Sequence, residues 1–267
     1  KTDRSAMVYT APAVGIDNGS QTTRAGFALE DLPLLVFSSV YLVDEAGKVV
    51  VGDDQIDKHP ENEILPLLDT GVVYHWENIE ANWKYAYDHL YCGIPLDPKE
   101  HPLVMTEPSW NSKKNKLAAA QIAFESLEVP IFSLVKNPLA QLYHQGRATG
   151  LVIDLGASVT LVTPILDGII QNKASFHLKY GGEFANLHCL EYLKKQVSGV
   201  NEIYPKAFGN GFPANSSPSF INFQIANRVL EDFKSSMLQI SDVPANASHI
   251  QAQHKSYYLP SGKLVPV

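Results

Sequence analysis

Short apolar runs alternate with polar turns along the chain, and the order of predicted elements is strands, then helices, then the same again. Residues 13–16 are an apolar run ending at Asp17. Asn18-Gly19-Ser20 is turn punctuation, and residues 22–27 carry β-branched and aromatic side chains, so the segment predicts a hairpin. Residues 34–37 and 49–51 predict further strands, with Gly47 and Gly52-Asp53-Asp54 as breaks. From Glu77 to Tyr91, Ile79, Trp83, Tyr87 and Leu90 recur at helical spacing and line one face. Residues 103–106 predict a buried strand, and Asn111 or Ser112 can cap a helix reaching about Phe124. Residues 131–135 predict another strand, and 137–145 a short helix closed by Gly146.

The pattern then restarts. Residues 150–154 are an apolar strand ending in Asp154, followed by Gly156-Ala157-Ser158 and a strand over 159–163. Residues 164–178 predict one more strand pair, and Gly181-Gly182 precede a helix to about Val197. Residues 198–219, rich in Gly, Pro, Asn and Ser, predict an exposed loop. A long helix is predicted over 221–240, and a strand pair around Pro260-Ser261-Gly262. Strands alternating with helices predict an α/β protein.

Composition narrows the classes. At 267 residues the chain has room for one large domain or two ordinary ones. With 45% apolar and 18% charged residues it predicts a packed core and excludes a disordered chain or a fibrous rod. No apolar run reaches the roughly 18–20 residues that span a bilayer. Residues 1–10 lack the apolar stretch of a secretory signal, so neither membrane insertion nor export is expected. Lys plus Arg number 21 against 28 Asp plus Glu, a net charge of −7, which leaves no basic face in excess for binding nucleic acid by counterion release, and no direct reading of DNA bases is expected. Two cysteines, Cys92 and Cys189, make neither a disulfide framework nor a zinc site, and a reducing intracellular setting is expected. The histidines show no metal-ligand spacing. Lys113, Lys114 and Lys116 read as a solvated helix face, and Trp76, Trp83, Tyr85, Tyr87 and Tyr91 as core. The glycosylation patterns at Asn215 and Asn246 read as accidental in a chain without a secretory signal.

One feature carries chemistry. Val14-Gly15-Ile16-Asp17-Asn18-Gly19-Ser20 and Leu151-Val152-Ile153-Asp154-Leu155-Gly156-Ala157-Ser158 repeat one design, an apolar strand, an aspartate, then a glycine turn into a second strand. A glycine turn lets the backbone approach a ligand, and successive N–H groups in it form an anion-binding nest. Two facing nests would clamp a polyphosphate. Asp17 and Asp154 would sit near it, where a hydrated magnesium ion neutralises them, keeping several waters and taking few protein ligands. Asp-x-Gly alone is also ordinary hairpin punctuation; its recurrence in the same setting points to a long-period duplication.

These segments resemble the actin family. Asp17 through Phe27 resembles the family's first phosphate loop, and Gly146 through Ser158 its second. Glu100 through Pro108 with Trp110-Asn111, Asp232 through Asp242, and Tyr258 through Gly262 extend the likeness over nearly the whole chain. The resemblance implies an actin-like (ribonuclease-H-like) α/β ATPase fold, duplicated into two lobes around a nucleotide cleft, with the family's C-terminal part beyond the match. The lobes would be 1–145, with a small inserted subdomain at about 38–75, and 146–267, with an inserted helical subdomain at about 183–257. Glu107-Pro108-Ser109-Trp110-Asn111, Thr163 through Gly168 and Phe233 through Asp242 are similar to the nuclear actin-related proteins of chromatin-remodelling and histone-acetyltransferase complexes, types four and seven. The segment between Phe37 and Gly52 is shorter than the filament-forming loop of actin, which implies a non-filamentous member.

By this resemblance ATP and magnesium are the cofactors. Gly19, Ser20 and Gln21 contact phosphate oxygens, and Arg24 stands where the family has a phosphate-reaching lysine. Gly156, Ala157 and Ser158 form the second phosphate-facing turn, with Ala157 in place of a family aspartate. Gly182 falls beside the sugar and Lys234 beside the adenosine, while Ser235 replaces a glutamate. Asp17 and Asp154 hold the metal through water. For hydrolysis the family uses a glutamine and a histidine, and here the matching residues are Asn137 and Leu161. The asparagine amide retracts by roughly 1.5 Å, and misplacement of about 1 Å costs on the order of a hundredfold in rate. No catalytic residue is therefore expected. The implied function is a structural subunit docked on a helical scaffold segment of a remodeller ATPase or acetyltransferase, in the nucleus. Actin or another actin-related protein would be its partner, and histones or the nucleosome lie within reach. The alternatives are an active ATPase or phosphotransferase of the sugar-kinase and seventy-kilodalton-chaperone fold, or a cytoskeletal actin-like protein.

Overall fold

The computed structural model describes residues 11–240 and 255–267, which divide into two units: residues up to 58 with 65–181, and 59–64 with 182–267. The expected N-terminal features at 1–10 and the pattern at Asn246 lie outside the described residues.

In the first unit, β1 (Val14–Asn18) and β2 (Thr22–Phe27) form the predicted hairpin, Asp17 opposite Arg24 and Asn18 opposite Thr23. β3 (Leu35–Ser38) pairs with β2. After α1 (Trp76–His89) come β4 (Leu103–Glu107), α2 (Lys113–Gln121) and β5 (Phe132–Lys136). The sheet order is β5-β4-β1-β2-β3, with β1, β4 and β5 parallel. Alternation decides the faces. Val14, Ile16, Ala25, Phe37, Leu103 and Met105 are buried in one core with Ile79, Trp83 and Tyr87 of α1. The periodicity therefore places the aromatic residues of α1 correctly, except that Tyr91 beyond its end is half-exposed. Ser112 caps α2 by accepting from the Asn115 amide, and the helix runs on through one wide π turn, Ile122–Ser126. Residues 38–75 hold a small three-stranded sheet, Val40–Val43 between Val49–Val50 and Leu65–Pro66.

The second sheet follows α3 (Asn137–His144) and contains β6 (Gly150–Leu155), β7 (Thr160–Leu166), β8 (Ile169–Ile170) and β9 (Phe176–Leu178). The strand pair expected over 164–178 takes a different form. β8 and β9 both pair with β7, one near each end, because β7 is long enough to serve both. One face buries Val152, Ile165 and Ile170 against Leu142 of α3. The other leaves Leu151, Ile153 and Leu155 at 59%, 59% and 74% exposure, with Phe176 and Leu178 on the same side by register.

The second unit contains α4 (Gly182–Gln196), α5 (Pro218–Ile225), α6 (Glu231–Met237) and a terminal hairpin of β10 (Ser256–Tyr258) and β11 (Leu264–Pro266). Leu193, Ile203, Val229, Phe233 and Val265 form its core. The exposed loop expected over 198–219 is instead partly structural. Ile203 is fully buried, and Phe208 stacks on Phe212 at 4.4 Å, both edge-on to Phe220. The Gly and Pro content hides these anchors. The helix expected from 221 begins at Pro218, because Ser217 accepts from the Phe220 amide and proline lacks the N–H that a first turn would leave orphaned. It passes a π turn at Ala226–Leu230 and ends at Met237. Among the described residues no helix is long and apolar enough to cross a membrane.

Candidate functional site

The two aspartate–glycine segments fold into the same turn. In the β1–β2 hairpin the Gly19 amide donates to the Thr22 carbonyl at 3.0 Å, and in β6–β7 the Gly156 amide donates to the Val159 carbonyl at 2.9 Å. The registers then match Asp17 to Asp154, Asn18 to Leu155, Ser20-Gln21 to Ala157-Ser158, and Arg24 to Leu161. Both corners are tight for any larger residue: a Cβ would stand 2.9 Å from the Thr22 oxygen at Gly19 and 3.0 Å from the Val159 oxygen at Gly156. The turns meet, with Ser20 Oγ 2.6 Å from Ser158 Oγ. Ser20 Oγ also accepts from the Gly71 amide at 3.0 Å. The amides of Ser20, Gln21, Ala157 and Ser158 donate to no backbone acceptor among the described residues. Two glycine corners and spare amides fit a chain of phosphates.

A third segment presses on the second turn. A Cβ at Gly181 would lie 2.4 Å from the Ala157 oxygen and 2.5 Å from the Gly156 oxygen, and Thr160 Oγ1 donates to the Tyr180 carbonyl at 2.6 Å. Only a glycine fits there.

The carboxylates differ. Asp17 accepts from the Thr106 hydroxyl, and Arg24 Nη1 stands 3.4 Å from its other oxygen. Arg24 is thus directed at Asp17. Beneath the turn, Asn18 accepts from the Trp83 indole at 2.8 Å and donates to Thr23 and Asn82, each at 2.9 Å. Asp154 has no side-chain hydrogen bond or ion pair among the described residues; its cross-strand neighbour is the buried Leu161, and His177 lies one strand further on. The His177 ring stacks on Trp110 at 4.8 Å.

Other expected residues fall as follows. Asn137 opens α3, and its Oδ1 is buried without a hydrogen-bond partner. Leu161 offers no group that can take a proton. Lys234 and Gly182 come together in the second unit, with Lys234 Nζ 3.5 Å from the Gly182 carbonyl and 2.7 Å from Glu231. In the same cluster, burial pushes the Cys189 thiol above its ordinary value, against the opposing pull of Lys234. The Lys113–Lys116 cluster is not wholly solvated: Lys116 holds the buried Glu107 at 2.6 Å, and Asn111 donates to that carboxylate's other oxygen. A buried carboxylate needs such partners. Among the described residues no three His, Cys, Asp or Glu side chains gather as a metal cage. A cation that fits here is one that arrives with phosphates and meets carboxylates through water.

Sequence reasoning missed Thr106, Asn82, Gly71 and Gly181. An amide at 82 amid the apolar face of α1 was a signal that something polar must meet it. Gly181 is the chain neighbour of Gly182, the glycine expected beside the sugar. Thr106 and Gly71 carry no local signal, since both act across strands.

A family model described as Actin matches residues 9–267. The chain is 35% identical over 277 residues to actin-related protein 4 of Yarrowia lipolytica, covering 89% of this chain and 63% of that protein. It is 33% identical over 249 residues to actin-related protein 7 of Saccharomyces cerevisiae, covering 88% and 50%. It is 26% identical over 283 residues to the SWI/SNF and RSC complexes subunit arp42 of Schizosaccharomyces pombe, covering 94% and 65%. The chain spans about half to two thirds of the length of these relatives.

Proposed function

The chain belongs to the actin family, and on that premise we propose that it is a nucleotide-binding, non-filamentous structural subunit of a nuclear chromatin-remodelling or histone-acetyltransferase complex. The observation that carries the reading is the meeting of two identical glycine turns through Ser20 and Ser158. Gly19, Ser20 and Gln21 from one turn and Gly156, Ala157 and Ser158 from the other hold the phosphates through backbone amides, and Arg24 supplies nearby charge. Gly182 and Lys234 take the nucleoside. Asp17 and Asp154 are the carboxylates for hydrated magnesium, whose contribution when bound is to offset phosphate charge. ATP binds only the folded chain and so stabilises it by linkage.

Turnover is weak or absent in this reading. A general base must come within hydrogen-bond reach of the attacking water, and the side chains at the matching positions are an asparagine amide and a buried leucine. The relatives' printed names, one of them a subunit of SWI/SNF and RSC complexes, support a structural role. The partners are actin or another actin-related protein and a helical scaffold segment of the remodeller ATPase or acetyltransferase, an amphipathic helix laid in an apolar groove. Histones and the nucleosome are reached through the complex.

The test is direct. Nucleotide extracted from the purified full-length protein is expected to be ATP, near one per chain, and a single-turnover assay is expected to leave it intact. Hydrolysis at the pace of filamentous actin overturns the scaffold reading, and cooperative polymer growth on adding magnesium and salt revives the cytoskeletal one.

A further inference from the structure

We infer that Ser217 is a phosphorylation site, and that a phosphoryl group there unlatches residues 59–64 from the start of α5. The chain leaves the first unit after Lys58 and returns to it at Leu65, and the six residues between pack with residues 182–267. Three hydrogen bonds to two serines hold them. The Ser217 amide donates to the Pro60 carbonyl at 2.8 Å, and the Ser217 hydroxyl donates to the Asn62 carbonyl at 2.7 Å. The Ser219 hydroxyl accepts from the amide of the buried Ile64 at 2.9 Å, and the two hydroxyls stand 3.2 Å apart. The Ser217 oxygen also accepts from the Phe220 amide and so caps α5. One hydroxyl thus has two roles with different needs. The cap uses only a lone pair, whereas the latch uses the proton.

A phosphate ester separates the two roles. It brings about −1.5 to −2 charges at neutral pH and three acceptor oxygens, but no proton for Asn62. Negative charge is favoured at a helix start, so the Phe220 amide keeps an acceptor. The Asn62 carbonyl instead faces an oxyanion, acceptor against acceptor, and the latch is repelled. Access supports this serine in particular. Among all 267 residues a hydroxyl stands directly before proline twice, at Thr163 and Ser217. Thr163 is fully buried in β7. Ser217 is partly exposed, follows the exposed residues 213–215, and has an extended backbone, φ −67° and ψ 149°. A proline-directed protein kinase takes its substrate extended, the conformation that proline favours in the residue before it. In the step, Ser217 Oγ bonds to the γ-phosphorus of the kinase's ATP. The bond from that phosphorus to the departing ADP oxygen breaks, and the hydroxyl proton passes to the kinase's catalytic base. Because Asn62 holds that proton while the latch is closed, the kinase captures the open population and its product keeps it open.

The experiment treats the folded full-length protein with a cyclin-dependent-type kinase and ATP, and maps the phosphate by mass spectrometry. Phosphate is expected at Ser217 and not at Thr163. Trypsin then reads the latch at the Lys58–His59 bond, where cleavage is expected to be about tenfold faster after phosphorylation, as for a segment released to local opening. Ser219→Ala loses one latch bond and leaves Ser217 and its proline intact. It is expected to be phosphorylated about fivefold faster, the shift in opening that one neutral hydrogen bond supports. Circular dichroism checks that this variant is folded, and the wild-type readouts stand without it. No phosphate at Ser217 in the folded protein overturns the site, whether or not the denatured chain accepts it. An unchanged cleavage rate after Lys58 in protein modified at Ser217 overturns the latch, and an unchanged phosphorylation rate in folded Ser219→Ala overturns capture of the open state.

Discussion

In the first hairpin Asn18 is tied to Trp83, Thr23 and Asn82, and Asp17 to Thr106 and Arg24. In the second, the place of Asn18 is taken by Leu155, three-quarters exposed, and the place of Arg24 by Leu161, buried. The backbones nevertheless follow one path, with the same register and the same glycine hydrogen bond. Backbone shape at such a turn is set by the corner glycine and the ladder, and it survives exchange of nearly every side chain around it. What the exchange alters is rigidity and charge. The first turn stands on a polar network and is electrically self-contained. The second is held by contact with Gly181 and Ser20.

Five substitutions sharpen the contrast. The largest effect is expected from Gly181→Ala, whose methyl would collide with two carbonyl oxygens of the second turn. Relief requires backbone movement, at about 3 kcal/mol or more, read as a lower urea midpoint together with weakened nucleotide binding. Next is Thr106→Val, which removes the hydroxyl donor to Asp17 while keeping shape. A hydrogen bond to a charged group is worth about 2 kcal/mol, and urea unfolding at neutral pH measures it. Ser20→Ala breaks the bridge between the turns and leaves the Gly71 amide without its acceptor. The expected cost is about 1 to 1.5 kcal/mol, against about half that for Ser158→Ala, which forfeits the bridge alone. Equal losses would mean that the Gly71 contact contributes nothing. The smallest stability change is expected for Arg24→Ala, below about 1 kcal/mol because the ion pair is half-exposed; thermal unfolding at low and high salt checks it.

The strands of the first sheet, the two glycine-cornered hairpins and the aromatic face of α1 were legible in the sequence because alternation and helical spacing are local properties. The aspartate–glycine repeat was legible for the same reason. Gly181 was not: the need for glycine there comes from two carbonyls more than twenty positions earlier in the chain, and no composition near 181 encodes them. The pairing of Lys116 with Glu107 was hidden likewise, since three lysines at a helix start look alike until a strand end places a buried carboxylate beside one. The segment 198–219 misled through its turn-forming residues, although Ile203, Phe208 and Phe212 were visible as apolar anchors among them. Resemblance implies phosphate for Arg24, and the hairpin register, which pairs it with Asp17, becomes visible only once the strands are in place.

The aliphatic row on β6 has a consequence for handling. Leu151, Ile153 and Leu155 stand open on a strand that has a single strand neighbour among the described residues, so oily side chains and free ladder groups share one margin. Such a margin is adhesive toward its own kind. A solution of this 267-residue polypeptide should thicken into oligomers as it is concentrated, brightening a hydrophobic dye in step.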